Sequence, residues 1–308
     1  RGFFLSGRNR WQQQRGVQQL PAYLAGNRLW FEQTRQALQA LDSPAGLLHL
    51  WQAKMKRHIK QGRYCVLGIA THSADYTLRL RRQLESLVGE QDASVLIGNL
   101  SQGEAELESL GPMLGLERLA RGEISREAYL AEYGHRGPNE FELSLPRPAE
   151  DPAWLEQELA NHRRAPVDIP AMLERQRQAY AAAWDRLQRI SAPAARRFKT
   201  KLVESARRAT LREQARSAYV RDRWAVRLFA LRVGELTGLG ERIFFLTLPE
   251  VLELPAGSPP PSGIIEGRLE AYQRYKALPS PPAIIRRAFD PLAWASDPQR
   301  PSDIYIAR

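Results

Sequence analysis

A single cysteine, Cys65, is the whole thiol inventory of this 308-residue chain. It excludes an intrachain disulfide, and with it the small stapled scaffolds of secreted proteins. The chemistry suits a reducing cytosol, so a cytoplasmic location is expected. Histidine is nearly as sparse. His49, His58, His72, His135 and His162 form no His-x-x-x-His pair, and no cysteine or carboxylate cluster completes a zinc site; no metal site is expected. No apolar run approaches the roughly 20 residues needed to cross a bilayer, which excludes a membrane-spanning helix. Arg1-Gly2-Phe3-Phe4-Leu5 is too short an apolar patch for a secretory signal. The chain opens on arginine rather than methionine, as expected of a piece of something longer. Neither G-x-x-x-x-G-K-[ST] nor G-x-G-x-x-G occurs, so no glycine-rich phosphate cradle is present, and there is no G-x-S-x-G nucleophile elbow.

What is there is ordinary for a globular protein: 43% apolar and 26% charged residues, enough for one large core or two smaller ones. The net charge of +11 invites a nucleic-acid reading. Arginine far outnumbers lysine, however, and leucine and alanine are abundant, a bias that a GC-rich genome writes into any protein. No RNA- or DNA-binding motif accompanies the charge, and a nucleic-acid partner is not expected.

The periodicity is helical almost throughout. Residues 8–41 read as helix with a break or restart at Leu20-Pro21, and with an apolar stripe of Leu24, Leu29, Trp30, Ala37, Leu38 and Leu41. Asp42-Ser43-Pro44 is a stop and restart signal. The next helix carries Leu47, Leu50, Trp51, Met55 and His58, the last read as a boundary histidine rather than a ligand. Tyr64–Ala70 leans to helix, with Gly68 placed to let another helix approach or to leave room for a ligand. Short helices follow over Asp92–Leu110, Met113–Arg121 and from Ser125 to Tyr133, then at Pro152–Arg164 and after Asp168. From Ala194 to Val233 there is no glycine or proline. That predicts a helix of roughly 60 Å at 1.5 Å per residue. On it Arg212, Arg216, Arg223 and Arg227 share a face. Such a row is either solvated or set against a phosphate or carboxylate surface. Ile243–Leu248 fits a short buried strand or extended segment, Gly263–Leu278 a final helix, and the chain beyond Pro279 is irregular. The fold expected is mainly α and multi-helical. An N-terminal lobe of residues 1–145 and a C-terminal lobe of 146–290 are joined through the proline-rich 141–152 connector, and 291–308 form a linker.

The chain is organised around Tyr133-Gly134-His135-Arg136-Gly137-Pro138-Asn139-Glu140. Two glycines and a proline stop the preceding helix, and the turn gathers an imidazole, a guanidinium and a carboxylate. A structural corner tying loop carbonyls together is one reading. With Leu143-Ser144, Pro146-Arg147 and Glu150-Asp151-Pro152, the run resembles a signature of the phosphoenolpyruvate-synthase-like dikinases, rifampicin phosphotransferases among them. Leu211-Arg212-Glu213, the arginine-rich helix and Ile243-Phe244-Phe245-Leu246-Thr247-Leu248 with Glu250 are similar to a second run of that family. Two departures stand out: Arg242-Ile243 replaces the usual acidic residue, and Phe244-Phe245 the usual Phe-Tyr.

The resemblance implies the substrate-binding middle domain of a two-step phosphotransferase. An ATP-grasp domain would use ATP and Mg²⁺ to phosphorylate a carrier histidine on a swivelling domain, and that histidine would pass its phosphoryl group to a hydroxyl or enolate acceptor. Neither of those domains is in this chain, so no cofactor is expected in it, and His135 is not the carrier. His135, Arg136, Glu140, Arg212 and Glu213 are the implied acceptor contacts. Arg136 or Arg212 would hold an oxyanion, and His135 or Glu140 would accept the hydroxyl proton. Arg216, Arg223 and Arg227 are the implied carrier-docking or phosphate-binding residues. A non-catalytic basic module binding nucleic acid and a structural spacer between catalytic domains remain as other readings.

Overall fold

The computed structural model describes residues 7–98 and 110–306. Among them the architecture is mainly α. Eleven α-helices run in the order α1 (Gly7–Ala40), α2 (Pro44–Leu50), α3 (Lys56–Ile97), α4 (Gly111–Ala120), α5 (Arg126–Tyr133), α6 (Pro152–Arg164), α7 (Ile169–Ile190), α8 (Ala192–Leu236), α9 (Leu248–Glu253), α10 (Ser262–Lys276) and α11 (Pro291–Ser296). Two three-residue strands, β1 (Ile284–Arg286) and β2 (Ile304–Ile306), pair in parallel with Ile284 opposite Ile304. The chain divides into two compact units. One takes the chain up to Asp42 and Gly46–Phe229; the other takes Ser43–Ala45 and everything from Ala230 on. The division falls within the long helix rather than at the 141–152 connector.

The first unit is built on α1, α3 and α8. Along α1 the buried positions are Gln13, Gly16, Leu20, Tyr23, Asn27, Phe31, Thr34 and Leu38. Their alternating three- and four-residue steps keep one face inward. Pro21 falls on the opposite, exposed face, and α1 runs through it without the expected break. Leu29, placed in the expected stripe, is instead 64% exposed. Leu20, Tyr23, Cys65, Ile69, Ala215 and Ala218 knit the three helices together.

Glycine makes this packing possible. A Cβ at Gly16 would lie 2.4 Å from the Tyr64 carbonyl oxygen, and one at Gly68 would lie 2.5 Å from that of Gln13. Gly68 therefore serves the close approach of a helix. A second cluster joins α3, α7 and α8 through Leu80, Leu84, Leu187, Phe198 and Leu202. A third joins α4, α5 and α6 through Leu116, Tyr129, Leu155 and Leu159. Side-chain caps start two of these helices: Ser125 Oγ accepts from Ala128 N at 3.1 Å, and Asp168 Oδ1 accepts from Ala171 N at 2.8 Å, with Pro170 in the first turn. The helix expected over 92–110 is the end of α3 up to Ile97; its residues 99–109 lie outside the described residues.

In the second unit, Ile243–Leu248 is not the expected strand. Gly240–Phe245 is a 3-10 helix, entered through Gly238 and Gly240 at φ 72° and 54°. A Cβ at Gly234 would stand 2.3 Å from the Gly240 carbonyl oxygen, so the chain folds back tightly on the end of α8. Residues beyond Pro279 are not all irregular, and 291–308 is not a plain linker. It contains α11 and β2, with Phe289 against Trp294 and Tyr305 at ring-centroid distances of 5.8 and 5.0 Å.

Candidate functional site

The signature turn is packed onto α8. Gly134 ends α5 at φ −63°, so no positive φ calls for glycine there. It is needed for close approach instead: an added Cβ would stand 2.7 Å from the Ala149 Cβ. Ala149 N donates back to the Gly134 carbonyl at 3.0 Å, closing the connector onto the turn. His135, only 2% exposed, makes a 2.8 Å hydrogen bond through Nε2 to Ser217 Oγ on α8. Burial holds its pKa well below 6.5, and the guanidiniums of Arg221, Arg136, Arg28 and Arg147 push it further in the same direction. The imidazole is neutral at pH 7.

Glu140 is 6% exposed and sits between two arginines, 2.5 Å from Arg136 Nε and 2.9 Å from Arg216 Nη2. Glu150 carries a parallel set: its Oε2 accepts from Arg227 Nε at 2.9 Å and from Arg147 N at 2.7 Å. Arg227 Nη1 also donates to the Leu143 carbonyl at 2.7 Å. The arginine face of α8 thus meets carboxylates of this chain's own turn and connector, at least at Arg216 and Arg227. Arg147 is 2% exposed and donates through Nη1 to the Asn139 carbonyl at 3.1 Å. Burial and the neighbouring Arg227 lower its pKa. Arg212 pairs with Glu213 at 3.1 Å and has a side chain 47% exposed.

One turn of α8 beyond Ser217, Asp222 is fully buried and receives hydrogen bonds from Tyr23 OH at 2.7 Å and Asn27 Nδ2 at 2.8 Å. His58 Nε2 lies 3.1 Å away, and its ring stacks on Trp30 at 3.7 Å between centroids. Burial raises the Asp222 pKa, against the pull of its three partners. Gly62 leaves the room: a Cβ there would be 2.4 Å from Asp222 Oδ2. His58 is therefore part of a network centred on Asp222 that pins α1, α3 and α8 together.

Beside the turn is a cavity of about 420 Å³, lined by Arg28, Phe31, Glu32 and Arg35 of α1, Leu130 and Ala131 of α5, His135, Ala149, and Arg221 and Trp224 of α8. Of the residues singled out from sequence, only His135 lines it; Arg136, Glu140, Arg212, Glu213, Arg216, Arg223 and Arg227 do not. The α1 and α8 contributors escaped sequence reasoning because they are almost 200 residues apart in the chain. A local signal existed. Arg28 and Arg35 are seven residues apart, close to two helical turns, with Phe31 and Glu32 between them on the same side.

Comparison with known proteins fits this organisation. Residues 123–213 match the family described as the rifampicin phosphotransferase fourth domain, a span from just before the Ser125 cap to Glu213. The chain thus contains a domain of the phosphoenolpyruvate-synthase and rifampicin-phosphotransferase kind. Over 109 residues it is 37% identical to the prodigiosin synthesizing transferase PigC of Serratia marcescens, a stretch covering 34% of this chain and 12% of that protein. The cavity residues on α1, and Arg221 and Trp224, fall outside the family match.

Proposed function

We propose that this chain is the acceptor-binding part of a dikinase-type phosphotransferase, and that the acceptor occupies the cavity beside His135. The observation that carries the reading is the convergence of the family's signature turn with a cavity of about 420 Å³, within the size range of small-molecule sites. ATP and Mg²⁺ chemistry is assigned to other parts of the same polypeptide. Among the described residues no group of three or more His, Cys, Asp or Glu side chains is placed to hold a metal ion, and no step is routed through one here. A phosphohistidine on a swivelling domain would meet the acceptor at the cavity mouth.

Within this reading the residues divide their work. His135, neutral and fixed by Ser217, presents an uncharged imidazole to the acceptor. In the tautomer that donates from Nε2 to Ser217, Nδ1 carries the lone pair that can take a hydroxyl proton. Glu140 and Glu150 are positioning residues, holding the turn and the connector on α8 through Arg216, Arg136 and Arg227. Arg223, and the half-exposed Arg212 beside its partner Glu213, would meet the docked carrier's phosphoryl group. No helix among the described residues is long and apolar enough to cross a membrane.

The test is calorimetric titration of the chain with hydroxyl- and enol-bearing compounds, pyruvate and ATP, alongside an Ala131→Trp variant that fills the cavity from the exposed side of α5. Saturable binding of a hydroxyl or enol compound, lost in the variant at unchanged melting temperature, is the expected result. Binding that survives the variant would put the acceptor elsewhere, and binding of nothing would leave only a spacer.

A further inference from the structure

Between Asp42 and Asp75 the sequence contains no acidic residue, yet Lys54, Lys56, Arg57, Lys60 and Arg63 all fall there. Three of the chain's six lysines are among them. The coding bias that fills the chain with arginine does not account for lysine in such a run. Local structure turns all five side chains outward. Trp51–Met55 is a π-helical turn joining α2 to α3. Its wider winding keeps Trp51 and Met55 buried while Gln52, Ala53 and Lys54 face solvent in succession. Beyond it Lys56, Lys60 and Arg63 step by four and three along α3, with Arg57 beside them, and all are exposed.

The fold does not neutralise them. Among the described residues none of the five pairs with a carboxylate. Other arginines at the surface are paired: Arg186 with Asp92 at 2.6 Å, Arg207 with Glu204 at 3.0 Å and Arg268 with Glu250 at 2.6 Å. The helices packed along this stretch hold no spare acid. Glu32 is the one acidic residue of α1 and is taken by Arg35 at 2.8 Å. Asp222 of α8 is fully buried and bonded by Tyr23 and Asn27. Five like charges on about 14 Å of helix, at 1.5 Å per residue, repel one another. An anionic surface laid against them relieves that repulsion.

We propose that this face of α3 docks an acidic protein surface. The side chains favour carboxylates over nucleic acid or lipid. Lysine is a hydrated point charge and lacks the planar fork that guanidinium offers to phosphate. The aromatic residues of the stretch, Trp51 and Tyr64, are buried and half-buried, so neither presents an open face for a base to stack on. The exposed neighbours Gln52 and Ala53 carry no large apolar group to enter a bilayer. A face under three turns long matches the carboxylates of one acidic helix better than a duplex footprint. All five residues lie outside the family match at 123–213, and the docking does not depend on what fills the cavity beside His135.

Two variants with the same charge change test it. One carries Lys54→Gln, Lys56→Gln and Lys60→Gln; the other carries Arg82→Gln, Arg175→Gln and Arg196→Gln, at exposed positions of α3, α7 and α8. Labelled polyglutamate, a short DNA duplex and phosphatidylserine-containing vesicles are titrated with each protein at low and at physiological salt. Polyglutamate is expected to bind the unaltered chain most tightly and to weaken with salt. The lysine variant should lose about tenfold in affinity and the arginine variant less than about twofold. Equal losses in the two variants would overturn the proposal, because the binding would then follow net charge rather than this face. Tighter binding of the duplex or of the vesicles would overturn it in favour of that partner, and no binding of polyglutamate at low salt would overturn it outright.

Discussion

At the scale of single residues, Glu140 and His135 make opposite demands. Glu140 is a buried carboxylate shared by two guanidiniums, one of them on a side chain only 10% exposed. Glu140→Gln keeps the shape and removes the charge, leaving Arg136 buried without its counter-ion. We expect a loss of about 3 kcal/mol by urea denaturation, in line with breaking one side of a buried pair. The half-exposed Arg216 adds little to that figure. His135 instead governs a pH limb. Its folded pKa lies below the 6.5 of the unfolded chain, so below that pH the unfolded state binds a proton that the folded state refuses. Stability should therefore fall as the pH drops from about 6.5 towards about 5, before most carboxylates begin to titrate. His135→Gln, whose amide can still bond Ser217, should flatten that limb. An unchanged slope in denaturation at pH 7.5, 6.5 and 5.5 would show that another group titrates there.

The helices are where the sequence speaks most plainly, and where its silences have clear causes. Ser125 and Asp168 announce α5 and α7 because a cap is a local hydrogen bond between residues three apart. The length of α8 is legible because nothing in Ala194–Val233 can break it. Pro21 misleads for the opposite reason. Its local signal says stop, but the buried stripe from Gln13 to Leu38 is enforced by α3 and α8, and the proline sits on the exposed side. The parallel pair β1–β2 is three residues a side, with partners 20 positions apart, too short and too separated for a period to register. Glycines offer a clean comparison between two packed helices. Gly68→Ala on α3 would press a methyl into the Gln13 backbone, and we expect it to cost about 2 kcal/mol. Gly26→Ala on α1 meets nothing within 4 Å; it should stabilise by about 1 kcal/mol through helix propensity. Thermal melts of the two variants should move in opposite directions.

At the scale of the whole molecule, the family signature was readable, but the cavity it helps to wall was not. His135 belongs to a local run of residues, whereas Arg28, Phe31, Arg35, Arg221 and Trp224 meet only through tertiary packing. The second family-like run proves partly structural. Thr247 and Glu250 form a capping box on α9, and Arg268 grips Glu250 with bonds of 2.6 and 2.9 Å. Those contacts hold the Glu250 pKa down at about 2. The +11 net charge also reads differently once partners are known. Along α8, Arg208 is taken by Glu204, Arg212 by Glu213, Arg216 by Glu140 and Arg227 by Glu150. We expect no binding to a short DNA duplex at 150 mM salt that survives as more than weak, non-specific association. A submicromolar affinity with a steep salt slope would return the basic helix to the nucleic-acid reading.

Glu150 receives both the backbone of Arg147 and the side chain of Arg227, while Ala149 donates to the Gly134 carbonyl. Three successive links therefore meet at one clasp: the end of α5, the proline-rich connector and the core helix. The amides of Arg136, Arg147 and Ala149 should exchange with deuterium together, as a single opening unit. Glu150→Gln should unfasten all three at once, turning a rigid wall of the cavity into a hinged one.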